Sequence, residues 1–147
     1  MHEAYMNEAL ALARDAGAAG EVPVGSIVVV GNEVVGRGRN SPIASNDPTA
    51  HAEMLALREA CARLKNYRLE DAIIYSTLEP CVMCAGALVG ARVATLVFAA
   101  RDLRFGGVRS KFQIADSDLL NHRLEIVEGV LAVESVLLLQ KFFAPLR

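Results

Sequence analysis

The order of apolar patterns along the chain predicts an α/β protein, a three-layer α/β/α domain whose sheet is covered by helices on both faces. Two observations indicate this fold class. A pair of β-branched runs meets at Gly31-Asn32, which is a strong signal for a two-residue hairpin turn. Farther along, strand patterns alternate with helix patterns, as in β-α-β units. We therefore expect an antiparallel hairpin at one edge of the sheet.

Each element follows from its own local pattern. Residues 3–16 place apolar side chains at helical spacing, and Gly17 and Gly20 are expected to end that helix. Asp47 or Thr49 can cap a second helix that runs to about residue 65, and Pro80 suits the first turn of a third. The complete prediction adds helices at 112–120 and 132–143, strands at 24–30, 33–39, 72–78, 93–99 and 124–128, and a loop at 40–47.

Length and composition indicate a single globular domain spanning residues 1–147. The chain is 53% hydrophobic and 22% charged, which excludes disordered and fibrous classes. Its longest apolar run, residues 81–91, is shorter than the roughly 18 residues that a membrane crossing needs. The first eight residues lack the pattern of a secretory signal, so a cytoplasmic protein without membrane contact is expected.

Charge is unevenly distributed. The net charge of −2 gives no global attraction to nucleic acid. Residues 101–111 nevertheless carry four basic side chains and one acidic one, a local net charge of +3. Such a cluster is either a solvated loop or a surface for an anionic ligand.

The Cys-x-x-Cys motif of Cys81 and Cys84 is the first candidate for chemistry. Three cysteines are too few for a disulfide framework and suit a metal site or free thiols. Spacing i, i+3 at a helix N-terminus places both sulfurs on one side, where the positive end of the helix lowers thiol pKa values. A metal site and a redox dithiol both remain possible for these two residues alone.

His51 favours the metal site, because it and Cys81 each precede a helix in a β-α-β arrangement and can face one crevice. Three protein ligands with an open fourth position are typical of catalytic zinc. Cys61 lies ten residues along the helix from His51, about 15 Å away, which is too far to share the ion. His122 is an isolated histidine, more typical of a structural or surface group than of a ligand.

Glu53 is the candidate proton carrier. A carboxylate near zinc can take a proton from bound water, whose pKa falls toward about 7, and can later deliver that proton to a substrate. Residues i and i+2 lie about 200° apart around a helix, so His51 and Glu53 can share a site only when it is approached end-on, near the helix start. A surface ion pair between these two residues is the alternative.

The sequence resembles the bacterial tRNA-specific adenosine deaminases, of the cytidine deaminase-like superfamily. His-Ala-Glu at 51–53 and Pro-Cys-Val-Met-Cys at 80–84 match the pattern H-x-E followed by P-C-x-x-C. The blocks EVPVGSIVV, RNSPIASNDPTAHAEMLALR, YSTLEPCVMCAGA, FAARD and NHRLEIVEGVL extend the resemblance over nearly the whole chain. The resemblance implies a five-stranded mixed sheet and a homodimeric hydrolase that converts the anticodon wobble adenosine of tRNA to inosine.

Residue roles follow from this resemblance. It implies one zinc ion per subunit on His51, Cys81 and Cys84, with Glu53 as the catalytic proton carrier and no nucleotide cofactor. Four residues are implied to contact the nucleoside: Asn40, Val24, Ala50 and Pro80. RNA contacts are expected from Arg101, Asp102, Arg104, Arg109, Lys111, Phe142, Phe143 and Arg147.

Simpler interpretations stand beside these roles. Asn40 can simply shape its turn, and Val24, Phe142 and Phe143 can be core residues. The sequence departs from the family pattern at residues 104–118, where a Gly-Ala-Ala-Gly-Ser type of loop is more usual. Two other functions remain open: a deaminase of a free base or nucleotide such as guanine or cytosine, and a non-catalytic zinc-stabilised binding domain.

Overall fold

The computed structural model describes residues 1–146, so the predicted RNA contact at Arg147 lies outside the described residues. Within these residues the chain forms five helices and five strands, followed by a short 3-10 helix at Ala144–Leu146. The elements are, in order, α1 (His2–Ala18), β1 (Gly25–Val30), β2 (Glu33–Arg39), α2 (Pro42–Ser45), α3 (Ala52–Leu64), β3 (Ile73–Leu78), α4 (Val82–Gly90), β4 (Thr95–Ala100), β5 (Glu125–Glu128) and α5 (Ala132–Phe143).

The strands form one mixed sheet in the order β2-β1-β3-β4-β5. Strand β1 is antiparallel to both of its neighbours, whereas β3, β4 and β5 are parallel. Between β1 and β2, Gly31 and Asn32 have φ angles of 57° and 65°. Positive φ at both positions is characteristic of the type I′ hairpin turn. The predicted α/β fold class, with a hairpin at one edge of a five-stranded sheet, is confirmed.

Helices cover both faces of this sheet. Successive residues of β1 point to opposite sides, so Val28 packs in the core beneath α3 and α4, while Ile27 and Val29 pack beneath α1 and α5. Gly38 allows close contact between a helix and the sheet: a Cβ atom there would lie 2.2 Å from the carbonyl oxygen of Ala52. The first turn of α3 therefore lies directly against β2.

Two local predictions are wrong. Residues 112–120 form turns and irregular backbone, because the N–H groups of Phe112 and Ile114 donate to the carbonyls of Gly106 and Gly107 and not to the preceding helical turn. The loop predicted at 40–47 contains the single turn α2. Helix α1 ends at Ala18, between the two glycines expected to end it.

The predicted start of the second long helix also needs correction. Helix α3 begins at Ala52 with His51 at its N-cap position, later than predicted. Asp47 instead accepts hydrogen bonds from the N–H and hydroxyl groups of Thr49, and so forms a turn before the helix. Among residues 1–146, none of the helices has both the length and the apolar character that a bilayer crossing requires.

Candidate active site

The candidate site lies at the carboxyl ends of the parallel strands β3 and β4. The chain leaves β3 at Leu78 and reaches Cys81, the N-cap residue of α4, within three residues. His51 is the N-cap residue of α3, so two helix N-termini converge on this edge of the sheet. Such an edge is where ligands bind in open α/β sheets.

Three side chains bring possible metal ligands together here. The Nδ1 atom of His51 lies 3.5 Å from the sulfur of Cys81 and 3.5 Å from that of Cys84. All three donor atoms lie within 4.8 Å of one another. Tetrahedral zinc, with bonds of about 2.3 Å to sulfur and about 2.05 Å to nitrogen, requires a sulfur–nitrogen separation of about 3.6 Å. The donor types and the spacing therefore fit one zinc ion.

The ionisation of the two thiols prepares this site for a cation. Hydrogen bonds from Cys84 and then from His51 lower the pKa of Cys81 to about 4, against the opposing effect of burial. The Cys84 thiol is fully buried and donates to Cys81, and both effects raise its pKa. The lowered pKa favours the thiolate form of Cys81, and a bound cation would favour thiolates at both sulfurs.

Glu53 lies beside these ligands in the first turn of α3. Its side chain is only 4% exposed, and burial is the main cause that raises its pKa to about 7. His51 has extended backbone angles, φ −73° and ψ 152°, so the angular spacing of the helix does not apply to it. Both side chains consequently line the same cleft, which is the end-on arrangement that the sequence suggested.

The cleft itself is large enough for a nucleoside, with a volume of about 750 Å³. Polar and charged side chains form part of its lining, and apolar side chains supply most of the rest. Nine residues predicted to function here line it: Val24, Asn40, His51, Glu53, Cys81, Arg101, Asp102, Arg104 and Phe143.

Asn40 links the cleft to the start of α3. Its Oδ1 atom accepts a hydrogen bond of 2.9 Å from the N–H of Ala52. This bond satisfies one of the donors that a helix N-terminus leaves unpaired, and it holds the first turn of α3 in place. Asn40 thus shapes its turn and lines the cleft at the same time, so the two interpretations of this residue are compatible.

Other predicted site residues lie elsewhere. Ala50 and Pro80 are buried next to the cleft, where the carbonyl of Ala50 accepts from Ser41 and that of Pro80 accepts from Gly107. Arg109 forms two hydrogen bonds, of 2.9 and 3.0 Å, with the carboxylate of Asp116. Two further predicted residues lie outside the cleft lining: exposed Lys111 and half-buried Phe142.

Glu79 organises the loop that forms the basic rim of the cleft. Its carboxylate accepts hydrogen bonds from four backbone N–H groups and from one hydroxyl. Burial raises its pKa, but the hydroxyl of Ser110 and the N–H donors outweigh burial and hold the pKa below its usual value. Glu79 is therefore committed to structure, and Glu53 is the carboxyl group available to a ligand.

Several cleft residues were not identified from the sequence. Their signal was weak, because apolar side chains in strands and loops are ordinarily assigned to the core. Two aromatic residues in or next to the basic 101–111 segment, Phe105 and Phe112, were the indication of a binding surface that the sequence offered. The residues missed are Val22, Leu78, Val82, Leu103, Phe105, Phe112 and Leu139.

The sequence is similar to those of known deaminases. A profile of the MafB19-like deaminase family matches residues 1–147. The tRNA-specific adenosine deaminase of Haemophilus influenzae is 45% identical over 146 residues, which cover 99% of this chain and 84% of the relative. The enzyme of the same name from Aquifex aeolicus is 46% identical over 145 residues, covering 99% and 95%.

Solved structures of deaminases have a similar fold. A structure from work on A-to-I editing by tRNA:A34 deaminases at the wobble position has a TM-score of 0.88 and 38% identity, covering 91% of this chain and 97% of the other. Guanine deaminase from Nitrosomonas europaea has a TM-score of 0.83 and 28% identity, with coverage of 97% and 84%. On these grounds the chain belongs to the MafB19-like deaminase family and to the family of tRNA-specific adenosine deaminases.

Proposed function

We propose that this protein hydrolyses the amino group of the wobble adenosine in a tRNA anticodon, producing inosine and ammonia. The observation that carries the proposal is the cluster of His51, Cys81 and Cys84 beside buried Glu53, in a cleft that can hold a nucleoside. The names of the 45% and 46% identical relatives support the choice of substrate.

One zinc ion per subunit would be held by His51, Cys81 and Cys84. When bound, zinc supplies Lewis-acid chemistry that lets water act as a nucleophile near neutral pH. Glu53 would take a proton from the attacking water and deliver it to the amino group that leaves as ammonia. Its burial at the floor of the cleft keeps the carboxyl group within reach of a bound base and away from bulk water.

The nucleoside would occupy the cleft above Glu53. Val24 offers an apolar wall, and the amide nitrogen of Asn40 can donate to a base or sugar, because only its Oδ1 atom is used by Ala52. We propose that Ala50 and Pro80 shape the pocket from beneath, since both are buried beside residues that line it.

The RNA backbone would follow the basic rim formed by the 101–111 segment. Arg101, Asp102 and Arg104 line the cleft there, and Phe143 of α5 lines the same cleft. Arg109, Lys111, Phe142 and Arg147 would contact the RNA from outside the cleft. We further propose a cytoplasmic homodimer, on the strength of the family resemblance. Light scattering at micromolar concentration should give twice the monomer mass.

The decisive experiment compares substrates and variants. Zinc-loaded protein should deaminate an anticodon stem-loop with far higher kcat/KM than free adenosine, measured as inosine and ammonia. Glu53→Gln should lose about 10²- to 10⁴-fold in rate, the usual contribution of a general acid or base, while it retains zinc. Glu70→Gln is the matched control, because Glu70 is exposed and lies outside the cleft.

A second candidate function is deamination of free guanine, which the structural similarity to the Nitrosomonas europaea guanine deaminase favours. Activity on guanine with none on the stem-loop would select this function. Full activity of Glu53→Gln, with zinc retained, would contradict the role of Glu53 as proton carrier. Absence of deamination of every substrate by zinc-loaded wild type would contradict both enzymatic functions.

A further inference from the structure

Two phenylalanine side chains at the cleft are unusually exposed. Phe105 is 63% exposed and Phe112 is 60% exposed, and both line the cleft. The guanidinium of Arg104 lies over the ring of Phe105, 5.6 Å from its centroid. Large apolar side chains grouped on a surface mark binding sites more often than chance. These two lie at the entrance to the cleft that holds Glu53.

Hydrogen bonds order the backbone that carries both rings. The Oδ1 atom of Asp102 accepts hydrogen bonds from the N–H groups of Arg104 and Phe105, at 3.0 and 3.1 Å. The carbonyl of Gly106 accepts from Phe112 at 3.1 Å. Below them, Glu79 ties down the rest of the loop. A ring on an ordered backbone costs little entropy when it binds a ligand.

Two basic side chains next to these phenylalanines in the sequence have no salt-bridge partner within the described residues. Arg101 and Arg109 are neutralised by Glu128 and Asp116 respectively. By contrast, no salt bridge to Arg104 or Lys111 is present within residues 1–146, and both are exposed. Exposed aromatic rings interleaved with free cations are the pattern that proteins use to bind single-stranded nucleic acid, in which bases stack and phosphates are neutralised.

We propose that Phe105 and Phe112 form a stacking surface for the unpaired nucleotides that flank the reacting base, with Arg104 and Lys111 contacting their phosphates. The inference rests on the proposed function and extends it to substrate selection. The family resemblance does not supply these residues, because the sequence departs from the family pattern at 104–118. The ligand class is unstacked RNA bases, which aromatic faces bind with little dependence on sequence.

The test separates stacking from simple apolar contact. Phe105→Ala and Phe105→Leu both remove the aromatic face, whereas Phe105→Trp keeps it. On an anticodon stem-loop, kcat/KM of Phe105→Ala, Phe105→Leu and Phe112→Ala should fall about 5- to 150-fold, the range expected for one stacked base. The fall should come from a higher KM and not from a lower kcat. The tryptophan variant should stay within about 3-fold of wild type. On stem-loops with an abasic flanking nucleotide, the loss should disappear.

A matched control exists elsewhere on the surface. Tyr67 is 74% exposed and Arg68 lies over its ring at 5.5 Å, but neither residue lines the cleft. Tyr67→Ala should therefore keep wild-type kcat/KM on both RNAs. Thermal unfolding of every variant should match wild type, because the side chains replaced are exposed.

Three results would overturn the inference. The first is a kcat/KM equal to that of wild type in both Phe105→Ala and Phe112→Ala. The second is full activity of Phe105→Leu, because this result would indicate apolar contact without stacking. The third is a change in oligomeric state of the phenylalanine variants, measured by light scattering, which would assign the surface to a second copy of the chain.

Failure of the proposed function can be distinguished from failure of this inference. Binding of a fluorescent ten-nucleotide oligouridine, measured by anisotropy, requires no reaction. If the wild-type protein deaminates no RNA, and Phe105→Ala no longer binds the oligouridine that wild type binds, the substrate assignment is wrong and the stacking surface stands. If neither deamination nor oligouridine binding changes in the variants, the stacking surface is refuted.

Discussion

Replacing Glu79 with glutamine is predicted to lower the free energy of unfolding by about 2–4 kcal/mol. The side chain is 2% exposed, and its carboxylate accepts five hydrogen bonds from residues 102–110. Glutamine has the same shape, but one terminal atom becomes an NH₂ group that can only donate. The substitution therefore sets donor against donor without creating a cavity.

The magnitude follows from the two ends of the carboxylate. Oε2 accepts three backbone N–H groups, from Val108, Arg109 and Ser110, so the amide oxygen should take that position. The NH₂ group then faces the N–H of Asp102 and the hydroxyl of Ser110. The hydroxyl can rotate to accept, but the N–H is left without a partner, at a cost of about 1–3 kcal/mol. The three remaining bonds also weaken, because their acceptor is no longer charged.

Unfolding of the zinc-loaded protein by urea or heat measures the effect. A loss of this size should lower Tm by about 4–16 °C in a chain of this length. Ser110→Ala removes only one of the five bonds and should cost about 1 kcal/mol. Glu125→Gln is the control, since Glu125 is exposed on β5. Stability of Glu79→Gln within 0.5 kcal/mol of wild type, a margin of about the usual surface effect, would refute the assigned role.

Three further predictions concern the metal, the rim and the sheet. His51→Ala should lose the bound zinc that Cys61→Ser retains, measured by metal analysis after dialysis, since Cys61 is outside the ligand cluster. Hydrogen bonds from Arg109 hold the pKa of Asp116 below its ordinary value of 3.8, so this pair stabilises the fold above that pH, and the stabilisation is lost as pH falls through the lower folded-state pKa. In urea titrations, wild type should therefore be more stable than Asp116→Asn by about 1 kcal/mol at pH 7, and this difference should narrow below about pH 4. A difference that stays constant with pH would contradict the prediction. Gly25→Ala should lower the free energy of unfolding by more than about 3 kcal/mol, because the new Cβ atom would lie 2.0 Å from a carbonyl oxygen of α1. An unchanged urea unfolding curve would contradict this and show that the helix can move.

The fold could be predicted because its signals are local. The hairpin turn requires positive φ at two adjacent positions, and Gly31-Asn32 is among the few pairs that adopt it easily. The predicted bounds of the last helix, residues 132–143, are those of α5. The false helix at 112–120 shows the limit, because tertiary hydrogen bonds to Gly106 and Gly107 overrode a weak local pattern.

The proximity of His51, Cys81 and Cys84 could be predicted for a similar reason. Cys81 and Cys84 are neighbours in sequence, and His51 precedes the other helix that the β-α-β arrangement brings to the same edge. The start of α3 was misplaced because its cap is not local. Asn40, which supplies the capping oxygen, lies twelve residues before the N–H of Ala52 that it accepts from.

The rim of the cleft could not be predicted, because the interactions that shape it involve the backbone. Glu79 contacts N–H groups 23 to 31 residues farther along, and a backbone N–H is the same at every residue except proline. No residue type in the 102–110 segment therefore signals that it is anchored; only Ser110 contributes a side chain. The same fact leaves positions such as 105 free to change without loss of the anchor. A large aromatic residue such as Phe105 can therefore stand in this loop while Glu79 keeps the loop in place.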